Sequence, residues 1–118
     1  GHALERATAY DSARLVHGEG VAIGMAMAFR FSHRLGLCQF QDVVRVENHL
    51  RDVGLPTRLA DVPGGVGDAA QLLDAMSQDK KVKRGALTFI LARGIGSSFI
   101  ANDVPVDKVQ AFLDAELS

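Results

Sequence analysis

The sequence has one cysteine, no excess charge of either sign and no apolar run long enough to cross a bilayer, and each absence removes a class of function. Cys38 alone cannot close an intramolecular disulfide and gives no sign of an oxidising compartment, which fits a cytoplasmic protein. Thirteen basic residues nearly cancel fourteen acidic ones, leaving a net charge of -1. Neither sign gathers into a long block, so no broad phosphate-attracting surface is visible and nucleic acid is not an expected partner. The longest apolar run, Gly20 to Phe29, covers about half of the ~20 residues needed to span a membrane and ends at Arg30. It reads as a buried helix. No signal-peptide pattern, internal repeat or low-complexity tract is present.

What is there fits one soluble globular domain with a modest core: 118 residues, 47% of them hydrophobic. The chain opens on Gly1 with no methionine and runs directly into a helical pattern over Ala3 to Tyr10, followed by a polar "DSAR". Such a start suggests a domain separated from a larger protein, or leaves Gly1 and His2 as a cloning remnant.

The periodicity predicts a mainly α fold, a multihelical domain over residues 1–118 with a small antiparallel β-hairpin. In "LVHGEGVAIGMAMAF" (residues 15–29), Gly20, Gly24 and Ala28 form a small-residue stripe beside a bulky one of Val21, Met25 and Phe29. Glycine costs about 1 kcal/mol against alanine inside a helix, so Gly18, Gly20 and Gly24 point to close packing around a central helix. "HRLG" supplies basic residues and then a glycine suited to a left-handed cap near Gly36. A second helix is predicted from about Gln41 to Val53, with Val43, Val46, Leu50 and Val53 on one stripe and Arg45, Glu47, Asn48, Arg51 and Asp52 on a solvated face. "GLPTRLADVPGGVGD" reads as a long surface connection. Asp68 offers an N-cap, with Gln71 three residues on, to a short helix whose inner face is Leu72, Leu73 and Met76. "ALTFILA" and "SSFIA", joined by "RGIG", read as the hairpin, and Pro105 precedes a last helix buried through Val106, Val109, Phe112, Leu113 and Leu117.

Few residues carry obvious chemistry. His33 and His49 lie among charged neighbours and read as solvated or helix-end residues. His17 differs, because an ionisable ring at the entry of a buried helix needs a partner. A hydrogen-bonded cap or core histidine satisfies that need as well as a metal does, since a catalytic zinc takes three protein ligands and His17-Gly18-Glu19 is not a His-Glu-x-x-His motif. In "SQDKKVKRG" the cluster Lys80, Lys81, Lys83 and Arg84 is either a solvated turn or a place where a lysine holds a carboxylate or phosphate of a small anionic substrate. "RGIG" lacks the following helix and the lysine of a phosphate loop and reads as a turn.

Three stretches taken together, "GHALE", "LVHGEGVAIGM" and "DKKVKRGALTFILARGIG", resemble in order and approximate spacing the C-terminal helical domain of the 3-dehydroquinate synthase family, within the sugar-phosphate cyclases. The resemblance covers nearly the whole chain. In that family the second stretch commonly reads His-Gly-Glu-Ala-Val-Ala-x-Gly-Met, and this sequence departs from it chiefly by Gly20 in place of alanine.

The resemblance implies the C-terminal half of a two-domain enzyme, α/β plus all-α, whose NAD-binding N-terminal domain is absent from this chain. It implies a lyase of the shikimate pathway, in aromatic amino acid biosynthesis, that converts 3-deoxy-D-arabino-heptulosonate 7-phosphate to 3-dehydroquinate and phosphate with NAD and a divalent metal, zinc or cobalt. His17 would be one of three metal ligands, the others being a glutamate of the N-terminal domain and a histidine of a Gly-His-Thr-x-Gly-His motif. Gly1-His2 matches only the tail of that motif, which makes His2 the substrate-facing histidine and puts the ligand histidine four residues upstream. Lys80 and Lys81 match the family's Asp-Lys-Lys stretch, from which one lysine reaches the substrate. The chain alone is then expected to be inactive, its partners being the N-terminal domain and a small phosphorylated sugar acid, with a homodimer open to the full enzyme. Two other readings stand beside this one: a related NAD- and metal-dependent cyclase acting on a different sugar phosphate, and a noncatalytic helical interaction module.

Overall fold

The computed structural model describes residues 17–62, 67–79 and 86–117. The expected helix over Ala3 to Tyr10 and the "DSAR" turn lie outside them. Four α-helices and one hairpin are present among the described residues: α1 (His17–Arg34), α2 (Phe40–Asp52), α3 (Ala69–Asp79), β1 (Ala86–Gly94), β2 (Ser97–Pro105) and α4 (Val106–Leu117). The mainly α reading with a two-stranded antiparallel sheet is therefore what the chain adopts. Helix α1 packs against α2 and β1, while α4 packs against α3 and β2.

Helices α1 and α2 end in the same way. In each, a glycine with positive φ (78° at Gly36, 84° at Gly54) turns the chain. The amide beyond it donates back into the last turn, Leu37 N to Ser32 O at 2.8 Å and Leu55 N to Leu50 O at 2.9 Å. The glycine amides donate to His33 O and Arg51 O, completing two Schellman motifs that satisfy carbonyls otherwise left orphaned. Helix α3 begins in a capping box, with Gln71 N donating to Asp68 Oδ1 at 2.8 Å and Asp68 N to Gln71 Oε1 at 3.0 Å.

The main core gathers Ile23 and Phe31 of α1, Leu72 of α3, Leu91, Ala101 and Val104 of the hairpin, and Val109, Phe112 and Leu113 of α4. Phe31 is its centre: its ring stacks on Phe112 at 4.7 Å and meets Phe89 edge-on at 6.0 Å. A smaller cluster of Ala22, Ala26 and Leu50 seals α1 to α2.

In the hairpin, Gly94 pairs with Ser97 across a two-residue turn in which Gly96 has φ 81°. The register slips between Ala92 and Gly94. At this irregularity Ala92 N donates to Ser32 Oγ at 3.0 Å, and the Ser32 hydroxyl donates in turn to Ala28 O at 2.6 Å. One buried serine thus ties the strand to α1, its hydroxyl donating to the helix and accepting from the strand.

Three expectations need correction. Val21 and Met25, expected to face packing partners, are 39% and 48% exposed, so α1 is covered on only part of its circumference. The connection after α2 is not a surface loop throughout: Thr57, Leu59 and Val62 are buried, because a single 3-10 turn (Leu59–Asp61) rolls Leu59 into the core, with Asp61 Oδ2 accepting from the amides of Thr57 and Arg58. Val53 points to solvent because α2 ends at Asp52 and Val53 has already left its stripe.

Candidate metal and substrate site

His17 is the first residue of α1 and its side chain is exposed. Glu19 lies in the same first turn, where a carboxylate complements the partial positive charge of the helix N-terminus. The remainder of α1 is anchored through buried Gly20, Ala22, Ile23, Ala26 and Phe31, so His17 stands on a rigid post. Among the described residues no three His, Cys, Asp or Glu side chains come together as a metal site. An accessible imidazole on a fixed helix could serve as one donor of a three-ligand set, whose other two donors would lie outside the described residues. His2, Lys80 and Lys81 lie outside those residues as well, so His17 is the sequence-derived site residue that has a described position.

His33 and His49 are exposed, as expected. His33 Nδ1 donates to Cys38 O at 3.1 Å, and its ring lies against Phe40. Cys38 is buried, its thiol donating to Phe29 O; burial first, and then the Asp42 carboxylate, push its pKa up and keep it protonated.

Sequence reasoning missed a charge cluster at the other end of α1. Arg30 Nε donates to Glu116 Oε1 at 2.8 Å, Nη1 to Glu47 Oε1 at 3.0 Å and Nη2 to Thr57 O at 2.8 Å. All three side chains of the Arg30–Glu47–Glu116 group are largely buried, and Arg51 and Arg58 approach Glu47 from the rim at 3.8 and 3.7 Å. One guanidinium fork therefore joins α1, α2, α4 and the connection. Its signal was present in the sequence, since an arginine inside an otherwise apolar helix has to find a carboxylate. Glu47, expected on a solvated face, is the carboxylate it finds.

The comparisons with known proteins agree with this architecture. The profile of a family described as 3-dehydroquinate synthase C-terminal matches residues 1–82. The 3-dehydroquinate synthase of Brucella anthropi is 66% identical over 117 residues, which is 99% of this chain and 31% of that protein. That of Mesorhizobium japonicum is 67% identical over 113 residues, 96% of this chain and 30% of that protein. The chain thus spans about a third of the length of the curated relatives it matches. Among solved structures, a 2-deoxy-scyllo-inosose synthase complexed with carbaglucose-6-phosphate, NAD+ and Co2+ superposes with a TM-score of 0.78 at 24% identity, over 98% of this chain and 32% of that one. A second structure of a 2-deoxy-scyllo-inosose synthase gives a TM-score of 0.71 at 22% identity, and both likenesses speak to the fold. With its family profile matched over most of its length and close relatives along nearly all of it, this chain belongs to the 3-dehydroquinate synthase C-terminal family.

Proposed function

We propose that this chain, residues 1–118, is the C-terminal metal- and substrate-binding domain of a cytoplasmic 3-dehydroquinate synthase, which converts 3-deoxy-D-arabino-heptulosonate 7-phosphate to 3-dehydroquinate and phosphate in the shikimate pathway. The observation that carries this is the 66% identity to a curated enzyme of that name along 99% of the chain. The fold likeness to a cyclase complexed with NAD+ and Co2+ supports a nicotinamide cofactor and a divalent metal, zinc or cobalt, in the full-length protein. An NAD-binding N-terminal domain would supply the dinucleotide site.

In this reading His17 is one metal ligand, and its place on the first turn of a helix anchored elsewhere fixes the direction from which the ring approaches. The metal, held in part by His17, would supply Lewis-acid polarisation of substrate oxygens, and NAD would supply a reversible hydride acceptor that leaves the reaction redox-neutral overall. Lys80 or Lys81 holds the carboxylate or phosphate of the substrate by charge, and His2 faces the substrate rather than the metal. With one donor of three, residues 1–118 by themselves bind zinc weakly and are inactive.

The test is phosphate release by the full-length protein with NAD and zinc, offered the heptulosonate phosphate or glucose 6-phosphate. Turnover on the seven-carbon acid is expected. Preference for the hexose phosphate would move the protein to another cyclase, and no turnover on either would favour the noncatalytic module.

A further inference from the structure

Among the described residues, Thr57 alone carries a buried side-chain polar atom with no hydrogen-bond partner: the residue is 0% exposed and its Oγ1 is unpaired. A hydroxyl hydrogen turns freely about its C–O bond, so what Oγ1 lacks is a protein group within reach, not the right orientation. The side chain cannot easily swing out to solvent. A β-branched residue is stiff at χ1, and both backbone groups of Thr57 are held, N donating to Asp61 Oδ2 at 3.2 Å and O accepting from Arg30 Nη2 at 2.8 Å. Buried polar groups in folded proteins nearly always have a partner, and where the chain offers none an internal water supplies it.

The Arg30 fork, which already grips the Thr57 carbonyl, has hydrogen-bonding capacity to spare. Nη1 gives one N–H to Glu47 Oε1 and has a second to give. Glu47 Oε2 faces Arg51 and Arg58 at 3.8 and 3.7 Å, close enough for an ion pair and too far for a direct hydrogen bond. Glu116 takes Arg30 through Oε1, which leaves its Oε2 as an acceptor. The three side chains are only 11–12% exposed, so these groups have little access to bulk solvent. Around Thr57 there remain one hydroxyl, one donor and two acceptors. A metal cation would be repelled by the guanidinium and an anion by the two carboxylates, whereas water both donates and accepts. We propose that the Arg30–Glu47–Glu116 cluster holds one internal water, bound to Thr57 Oγ1 and to at least one of Arg30 Nη1, Glu47 Oε2 and Glu116 Oε2. Through it the connection after α2 is fastened to the cluster by the side chain of Thr57 as well as by its carbonyl.

The experiment is a crystal structure of the full-length protein, fine enough to show ordered waters, beside the same structure of Thr57→Val and Thr57→Ser. One water is expected within about 3 Å of Thr57 Oγ1 and within the same reach of one of the three cluster atoms. It should be gone from Thr57→Val, which keeps the shape of the side chain without its hydroxyl, and remain in Thr57→Ser. Thr57→Val should also lower the denaturant midpoint of unfolding, because the cluster loses a bridged partner. A Thr57 hydroxyl bonded directly to a protein group, no water, a water touching none of the three atoms, or one that stays in Thr57→Val would each overturn the proposal. So would a Thr57→Val midpoint equal to or above that of the parent, the mark of a hydroxyl that had no partner to lose. If Thr57→Val fails to fold, the parent and Thr57→Ser structures decide.

Discussion

The two ends of helix α1 are built for different ends. Its last turns hold Phe31 between Phe112 and Phe89, Ser32 between Ala28 and Ala92, and Arg30 among Glu47, Glu116 and the Thr57 carbonyl. Its first turns show His17, Val21 and Met25 to solvent. Stability is concentrated where packing, hydrogen bonds and ion pairs tie α1 to the rest of the chain, and the candidate chemistry sits at the end whose side chains face solvent. The same helix can do both because its buried half holds the exposed half in place.

Substitutions at the two ends should therefore separate activity from stability. The largest expected effect is on activity. In the full-length enzyme His17→Ala should lower turnover by more than about a hundredfold and remove most of the zinc, while the denaturation midpoint moves by no more than the ~1 kcal/mol of a lost cap. Metal per protomer and phosphate release measure this, and full zinc with full rate would end the ligand assignment. Next, Phe31→Ala should cost about 3–5 kcal/mol in denaturant unfolding, because the cavity opens between two rings that cannot both close on it. Arg30→Met should come close behind at about 3 kcal/mol, since it strands Glu47 and Glu116 in a largely buried place. An Arg30→Met protein as stable as its parent would show that these carboxylates rehydrate freely. At the far end of the helix, Gly36→Ala forces a Cβ into the left-handed region and should cost about 1 kcal/mol without touching zinc content. Smallest of all, His33→Ala loses one part-buried hydrogen bond to Cys38 O, about 0.5 kcal/mol, and should be silent for metal and turnover.

Much of the fold was legible because local rules and global packing agree. The glycine after "HRL", the Asp68–Gln71 pair and the 3.6-residue period of Val109, Phe112 and Leu113 each mark a boundary or a buried face by chemistry that acts within a turn or two. What stayed hidden depends on contacts between segments far apart in the chain. Glu47 lies off the apolar stripe of its own helix, and only the approach of Arg30 from another helix makes it an interior residue. Thr57 and Leu59 sit in a stretch whose prolines and glycines read as surface, and the 3-10 turn that buries Leu59 is too short to leave a period. At the candidate site, His17 was legible as an odd residue at a helix entry. The resemblance to a family, rather than the spacing, turned that oddity into a candidate ligand.

The hydroxyl of Ser32 has a kinetic consequence. It accepts the amide of Ala92, a residue 60 positions later in the chain, at the point where the ladder slips. A lone two-stranded hairpin is marginal in water, and closing so distant a contact costs loop entropy before it repays any. The hairpin's irregular register should therefore set only after α1 is in place, making it a late event in folding and one that reopens together with the helix. Amide exchange reads this directly: Ala92 should exchange at the rate of the buried turns of α1, and an Ala92 amide that exchanges as fast as the hairpin turn would show that the hairpin opens alone.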